Sequence, residues 1–148
     1  MEEPLIILRP LSKEDYELMY NLRWRILRKP WQQPKGSEKD DIENESYPFI
    51  VIYNDKVVAT ARLHKDSEDE GQIRYLAVKE EYRNQRIGSK LVRYIEGFAT
   101  CVGIKSIVLN ARKTAKAFFK MLDYEIKGEG PLLFDEIEHL IMHKELQT

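Results

Sequence analysis

The chain has 148 residues, 43% apolar and 33% charged, the length and mixture of a single ordinary globular domain, residues 1–148, able to bury a sizeable core. Its 24 basic and 25 acidic residues leave a formal net charge of -1, so bulk charge selects neither nucleic acid nor a membrane surface as a partner. A single cysteine, Cys101, excludes an internal disulfide and suits a reducing, cytoplasmic compartment. It falls in an apolar helical pattern and reads as a buried, inert thiol. Met1-Glu2-Glu3-Pro4 lacks the layout of a signal peptide, and no apolar run reaches the length of a membrane span.

Leu5 to Leu8 reads as a short strand. Ser12, followed by Glu14 and Asp15, is an N-cap with an acidic first turn, opening a helix through Leu18, Leu22, Ile26 and Leu27 that stops near Pro30. Residues 31–46 are polar and rich in Pro, Gly and charge, which reads as a long surface loop and a substrate lid. Phe49 to Tyr53 and Lys56 to Leu63 form a hairpin about Asn54-Asp55, and a charged turn leads to a third strand, Ile73 to Val78. Ile87, Leu91, Ile95, Phe98 and Ala99 make one stripe of a helix. A strand at Ile107 to Leu109, a helix at Thr114 to Leu122, and strands at Tyr124 to Ile126 and Glu138 to Lys144 follow. The order β-α-β-β-β-α-β-α-β-β implies a mixed sheet of the α/β class, not a regular βαβ alternation.

The most informative segment is Gln72 to Val78 followed by Arg83-Asn84-Gln85-Arg86-Ile87-Gly88-Ser89. A strand runs through a charged loop into a helix start, where unpaired N-H groups and the positive end of the macrodipole can hold a phosphate. The segment points to a phosphorylated cofactor.

Here the chain resembles the GNAT superfamily of acyl-CoA N-acyltransferases. Arg83 and Gly88 match the ends of the R/Q-x-x-G-x-G/A pattern, with Arg86 in place of its middle glycine. Leu109 to Tyr124 resembles the family's "LNARxxAxxFYEKLGF" block. Gly128-Glu129-Gly130, Ile137-Glu138-His139 and Met142-His143-Lys144 resemble the "GE…GIPHxxMxK" ending of a branch of small bacterial members. The resemblance spans nearly the whole chain and implies a mostly antiparallel sheet with helices on both faces.

It also implies acetyl-CoA as co-substrate. Backbone groups of Leu76, Ala77 and Val78 would bond the pantetheine arm like an added strand. The Val78 N-H would face the thioester oxygen, where a preorganised donor contributes about 3 kcal/mol. Arg83, Asn84, Gln85, Arg86, Ile87, Gly88 and Ser89 would hold the pyrophosphate, and Asn110 and Arg112 would add contacts from the fifth strand. Asn110 also reads as a cap for the following helix, and Arg112 as a surface charge.

The reaction implied is direct attack of a primary amine, small-molecule or peptide, in a ternary complex, since no well-placed nucleophile points to an acetyl-enzyme. An alkylamine with a pKa of about 10.4 is almost wholly protonated at neutral pH, so a base is required. Gln72 stands where many relatives carry a glutamate; His139, Glu138, Glu70 and His64 remain, His139 first because it matches the branch's ending. His64 also reads as an exposed edge residue. Phe119 stands where relatives carry an acidic tyrosine, which leaves Tyr124 or Tyr75 as proton donor. No histidine-carboxylate spacing indicates a metal site. The rival reading is a catalytically silent acyl-CoA-binding module; a phosphate loop of the nucleotide-binding kind lacks its paired glycines and Gly-Lys-Ser/Thr ending. Monomer and homodimer both stay open.

Overall fold

Ser12 opens the first helix as its side chain dictates. Its hydroxyl accepts from the Asp15 N-H at 3.0 Å while the Asp15 carboxylate reaches back to the Ser12 N-H, a reciprocal capping box. A computed structural model of the chain describes residues 4–147; Met1 to Glu3, on which the leader reading rests, lie outside them. The elements are β1 (Ile6–Leu8), α1 (Lys13–Leu27), β2 (Tyr47–Tyr53), β3 (Lys56–Lys65), β4 (Glu70–Val78), α2 (Ile87–Cys101), β5 (Ser106–Arg112), α3 (Lys116–Met121), β6 (Glu125–Leu133) and β7 (Ile137–Glu145). This is the order expected from the sequence, and the described strand pairings are antiparallel except for one. No helix among the described residues is long and apolar enough to cross a membrane.

The chain forms two compact units. The first holds the residues up to His64 together with Tyr75–Ile95. In it β1 pairs with β2 and β2 with β3, the β2-β3 turn being Asn54-Asp55 with φ of 52° and 60°, the mirror-image geometry that suits a two-residue hairpin. Met19 and Leu22 of α1 pack on Ile50 and Val57, with Leu8, Tyr16, Tyr20, Ile26 and Ile52 around them. The second unit holds Lys65–Arg74 and the chain from Glu96 onward. There β4 and β5 pair in parallel over only three positions, Glu70 with Ser106 to Gln72 with Val108. β5 then pairs with β7, and β7 with β6.

Four expectations change. The stretch read as a lid is pinned from beneath: Trp24 Nε1 donates to the Gln33 carbonyl, Arg28 Nε to that of Ser37 and Arg23 Nη1 to that of Glu38, at 3.0, 3.0 and 3.1 Å. Arg62 holds the Asp40 carboxylate through two bonds of 2.7 and 2.8 Å. Cys101 is exposed, because the apolar stripe of α2 runs through Ile87, Leu91, Ile95 and Ala99 and the thiol lies off it. His64 is buried, not an exposed edge residue, with Nδ1 3.3 Å from Arg62 Nη2. β6 runs nine residues instead of three, since register shifts let the chain pass Gly128 to Leu132 without leaving the ladder.

Candidate active site

In the first unit, β4 ends at Val78, a 3-10 turn follows at Glu80–Tyr82, and α2 starts at Ile87. Between them Asn84 and Arg86 adopt left-handed backbone, with φ of 63° and 65°. Two such residues flanking Gln85 curl the chain into a concave run of backbone groups, the form that receives anions. Neither is glycine, so the conformation is locally costly, more so at Arg86 than at Asn84. The first helical bond is Lys90 N-H to the Arg86 carbonyl at 3.0 Å, which leaves the N-H groups of Ile87, Gly88 and Ser89 without a carbonyl inside the helix. No acidic residue stands in this first turn.

Arg83 and Arg86, the cations read from the sequence, both stand in this turn. Arg83 Nε donates to the Val78 carbonyl at 3.1 Å, tying the turn to the end of the strand, and Arg86 is exposed. Asn84, Gln85, Arg86 and Lys90 line a depression of about 770 Å³. Leu76, Ala77, Val78 and residues 83–89 thus all lie in the first unit, separated only by Lys79 and the turn Glu80–Tyr82. A phosphorylated ligand fits it on three grounds: left-handed backbone, open helix N-H groups and two flanking cations.

Tyr75, just before that segment, has φ of 61° inside a strand. Its ring lies 4.4 Å from the Arg23 guanidinium, 4.9 Å from that of Arg62 and 5.5 Å from that of Arg28. Glu43 Oε1 joins two of these, accepting from Arg23 at 2.8 Å and Arg62 at 2.9 Å. Burial lowers the pKa of Arg23. Burial alone also lowers Arg62, but its hydrogen bond to Asp40 and the charge of Glu43 outweigh that and hold it above the ordinary value. Sequence reasoning missed this cluster. Its one signal was Arg23 on the apolar face of α1, beside Leu22, Ile26 and Leu27.

In the second unit, Arg112 of β5 faces His139 of β7 in register, and Asn110 faces Ile141. Cross-strand partners and every second residue share a face, so Asn110, Arg112 and His139 lie on one side of these strands. Asn110 sits within β5 and caps no helix; α3 starts at Lys116, and its N-cap residue, Ala115, makes no side-chain cap. His139 is buried, and its Nδ1 is 2.9 Å from the Pro131 carbonyl. A carbonyl only accepts, so Nδ1 carries the proton and Nε2 the lone pair of the neutral ring. A Cβ on Gly130 would stand 3.0 Å from His139 Cβ and 3.2 Å from its carbonyl oxygen, so β6 approaches β7 this closely only because residue 130 is glycine.

Tyr124 lies elsewhere in that unit. It is buried, its hydroxyl donates to Glu96 Oε2 at 2.8 Å, and Lys144 Nζ holds Glu96 Oε1 at 2.9 Å. Burial first, then the charge and hydrogen bond of Glu96, push the phenol far above its usual pKa. Phe119 stacks edge-on against it at 5.7 Å and is itself buried.

The fold is mixed and mostly antiparallel, with a strand feeding a left-handed basic turn at a helix start. Residues 16–124 match the Acetyltransferase (GNAT) family, and the chain belongs to that family of N-acetyltransferases, whose co-substrate is acetyl-CoA. Among curated proteins it is similar to the uncharacterized N-acetyltransferase YitI of Bacillus subtilis (strain 168), 27% identical over 97% of this chain and 99% of that one. Its fold matches a putative N-acetyltransferase from Lactobacillus plantarum with a TM-score of 0.84, at 21% identity over 97% and 99% of the two chains. It also matches an aminoglycoside 6'-N-acetyltransferase solved with coenzyme A, with a TM-score of 0.81, at 16% identity over 97% and 98%.

Proposed function

We propose that this acetyltransferase passes the acetyl group of acetyl-CoA to a primary amine by direct attack in a ternary complex, in the cytoplasm. The observation that carries the reading is the left-handed pair Asn84 and Arg86 set before an open helix start. Backbone N-H groups of Gln85 to Ser89, with Arg83 and Arg86, bind the pyrophosphate; the backbone of Leu76 to Val78 binds the pantetheine arm, and the Val78 N-H meets the developing oxyanion. Asn110 and Arg112 supply further cofactor contacts from β5.

His139 serves as the base, directly or through a water. The Pro131 carbonyl holds the Nδ1 proton, so Nε2 is the atom that accepts from the ammonium. Tyr124, the other catalytic residue expected, spends its hydroxyl on Glu96, and this supports a structural role for it. Coenzyme A, with a thiol pKa of about 8.5, leaves as a thiolate without a tyrosine donor.

The test is coenzyme A binding by calorimetry combined with thiol release from acetyl-CoA over a panel of amines. Saturable binding and amine-dependent thiol release are expected, with His139→Ala lowering kcat. A second reading, a silent acyl-CoA-binding module, draws on two observations: Phe119 is apolar and the Tyr124 hydroxyl is engaged by Glu96. Tight binding with no thiol released above background would select it.

A further inference from the structure

Three peculiarities meet at Tyr75. It is a bulky residue in left-handed backbone, φ 61°, within a strand where extended backbone is the rule. Its buried ring meets the guanidinium groups of Arg23, Arg62 and Arg28 at 4.4, 4.9 and 5.5 Å. Nε and Nη2 of Arg23 and Nε of Arg62 are buried without a hydrogen-bond partner, so these cations rely on aromatic faces for part of their stabilisation.

One left-handed residue in a strand turns the peptide planes that follow it and re-aims the groups beyond. Those beyond Tyr75 are Leu76, Ala77 and Val78. A glycine would reach this φ without strain, yet the chain uses a tyrosine and surrounds it with buried charge. The arginines are fixed in turn: Arg23 and Arg62 share Glu43 Oε1, Arg62 holds Asp40, and Arg28 holds the Ser37 carbonyl.

We propose that Tyr75 is a positioning residue whose ring, clasped by Arg23, Arg28 and Arg62, locks the left-handed step in β4 that turns the Leu76–Val78 backbone toward the acyl-CoA arm. The inference rests on the acyl-CoA reading of that strand given above. It assigns the buried arginine cluster to cofactor affinity, and the segment from Lys29 to Ser46 to bracing it.

The experiment compares wild type, Tyr75→Phe and Tyr75→Val by calorimetric titration with coenzyme A, alongside amide NMR of the free proteins. Phe keeps the ring; Val removes it and, being β-branched, resists positive φ. The Phe variant is expected to bind within about twofold of wild type and the Val variant about tenfold more weakly or worse. In the Val variant the amide signals of Leu76, Ala77 and Val78 shift while those of Met19 and Ile50 in the α1 core stay, a pattern that general loosening does not produce. Should the Val chain not fold, Tyr75→Leu is held to the same criterion. Wild type that binds coenzyme A while the Val or Leu variant binds equally well overturns this inference alone, as does a Phe variant that loses as much as Val. Wild type that does not bind coenzyme A overturns both it and the acyl-CoA reading.

Discussion

The Tyr124 hydroxyl donates to the Glu96 carboxylate across 2.8 Å, and both groups are buried. The bond keeps the proton on the phenol, since ionising it would place a second negative charge beside Glu96 in a desolvated site. The folded-state pKa is therefore raised above the unfolded value, so the stabilisation is complete below about pH 10. Above that pH the unfolded chain releases the proton while the folded chain keeps it, and stability falls. Wild-type Tm is expected to drop on going from pH 9 to pH 11, and the drop to be shallower in Tyr124→Phe. It does not vanish there, because burial and Glu43 also raise Tyr20.

The same substitution separates structure from chemistry. Tyr124→Phe removes a charge-assisted hydrogen bond but leaves Glu96 paired with Lys144, so a loss of about 2 kcal/mol is expected by denaturant titration at pH 7. Its kcat with acetyl-CoA should stay within about twofold of wild type. A hundredfold fall in kcat in a folded Tyr124→Phe would restore the phenol to the proton path.

Gly130→Ala tests the orientation of His139 from outside the imidazole. The new methyl would meet His139 Cβ at 3.0 Å and main-chain atoms at 3.2 Å, so β6 and β7 must part and the bond from Nδ1 to the Pro131 carbonyl lengthens. A stability loss of about 1–3 kcal/mol is expected from the overpacking. In addition kcat should fall while the affinity for coenzyme A, measured by calorimetry, stays unchanged.

How far the chain could be read before its structure was known varies with the kind of signal. The Ser12 cap, the Asn54-Asp55 turn and the α2 stripe depend on neighbours within a few residues, and all three formed as expected. The basic turn between the end of β4 and the start of α2 was legible for the same reason. Its left-handed residues were not, because Asn84 and Arg86 adopt positive φ without the glycine that advertises it. β6 was underestimated because Gly128, Gly130 and Pro131 look like punctuation, while pairing with β7 supplies what local propensity withholds. The arginine cluster was invisible: Arg23 and Glu43 are 20 positions apart, and nothing local says that a charged residue on an apolar face is paired.

That pairing has its own consequence. Glu43 Oε1 is shared by two fully buried arginines. Replacing it with alanine leaves Arg23 without its carboxylate and Arg62 with Asp40 alone, so Glu43→Ala is expected to lose about 3–5 kcal/mol of stability, read from urea midpoints. Glu17→Ala removes only an exposed 3.9 Å pair with Lys13 and should change stability by less than about 0.5 kcal/mol.

The sharpest test of the cofactor turn is Gly88→Glu. Gly88 lies in the first turn of α2, two residues after the left-handed Arg86 and among N-H groups that have no carbonyl inside the helix. A glutamate there adds bulk and a negative charge where the pyrophosphate is proposed to bind. An acidic residue in a first turn is itself compatible with the helix dipole, so the fold should tolerate the change and far-UV CD should match wild type. Coenzyme A, carrying like charge to the same place, is expected to bind about a hundredfold more weakly, or about 2.7 kcal/mol. Raising the salt should recover part of that loss by screening the repulsion, whereas a purely steric block would be insensitive to it. Unchanged affinity in the folded variant would remove the phosphate site from this turn.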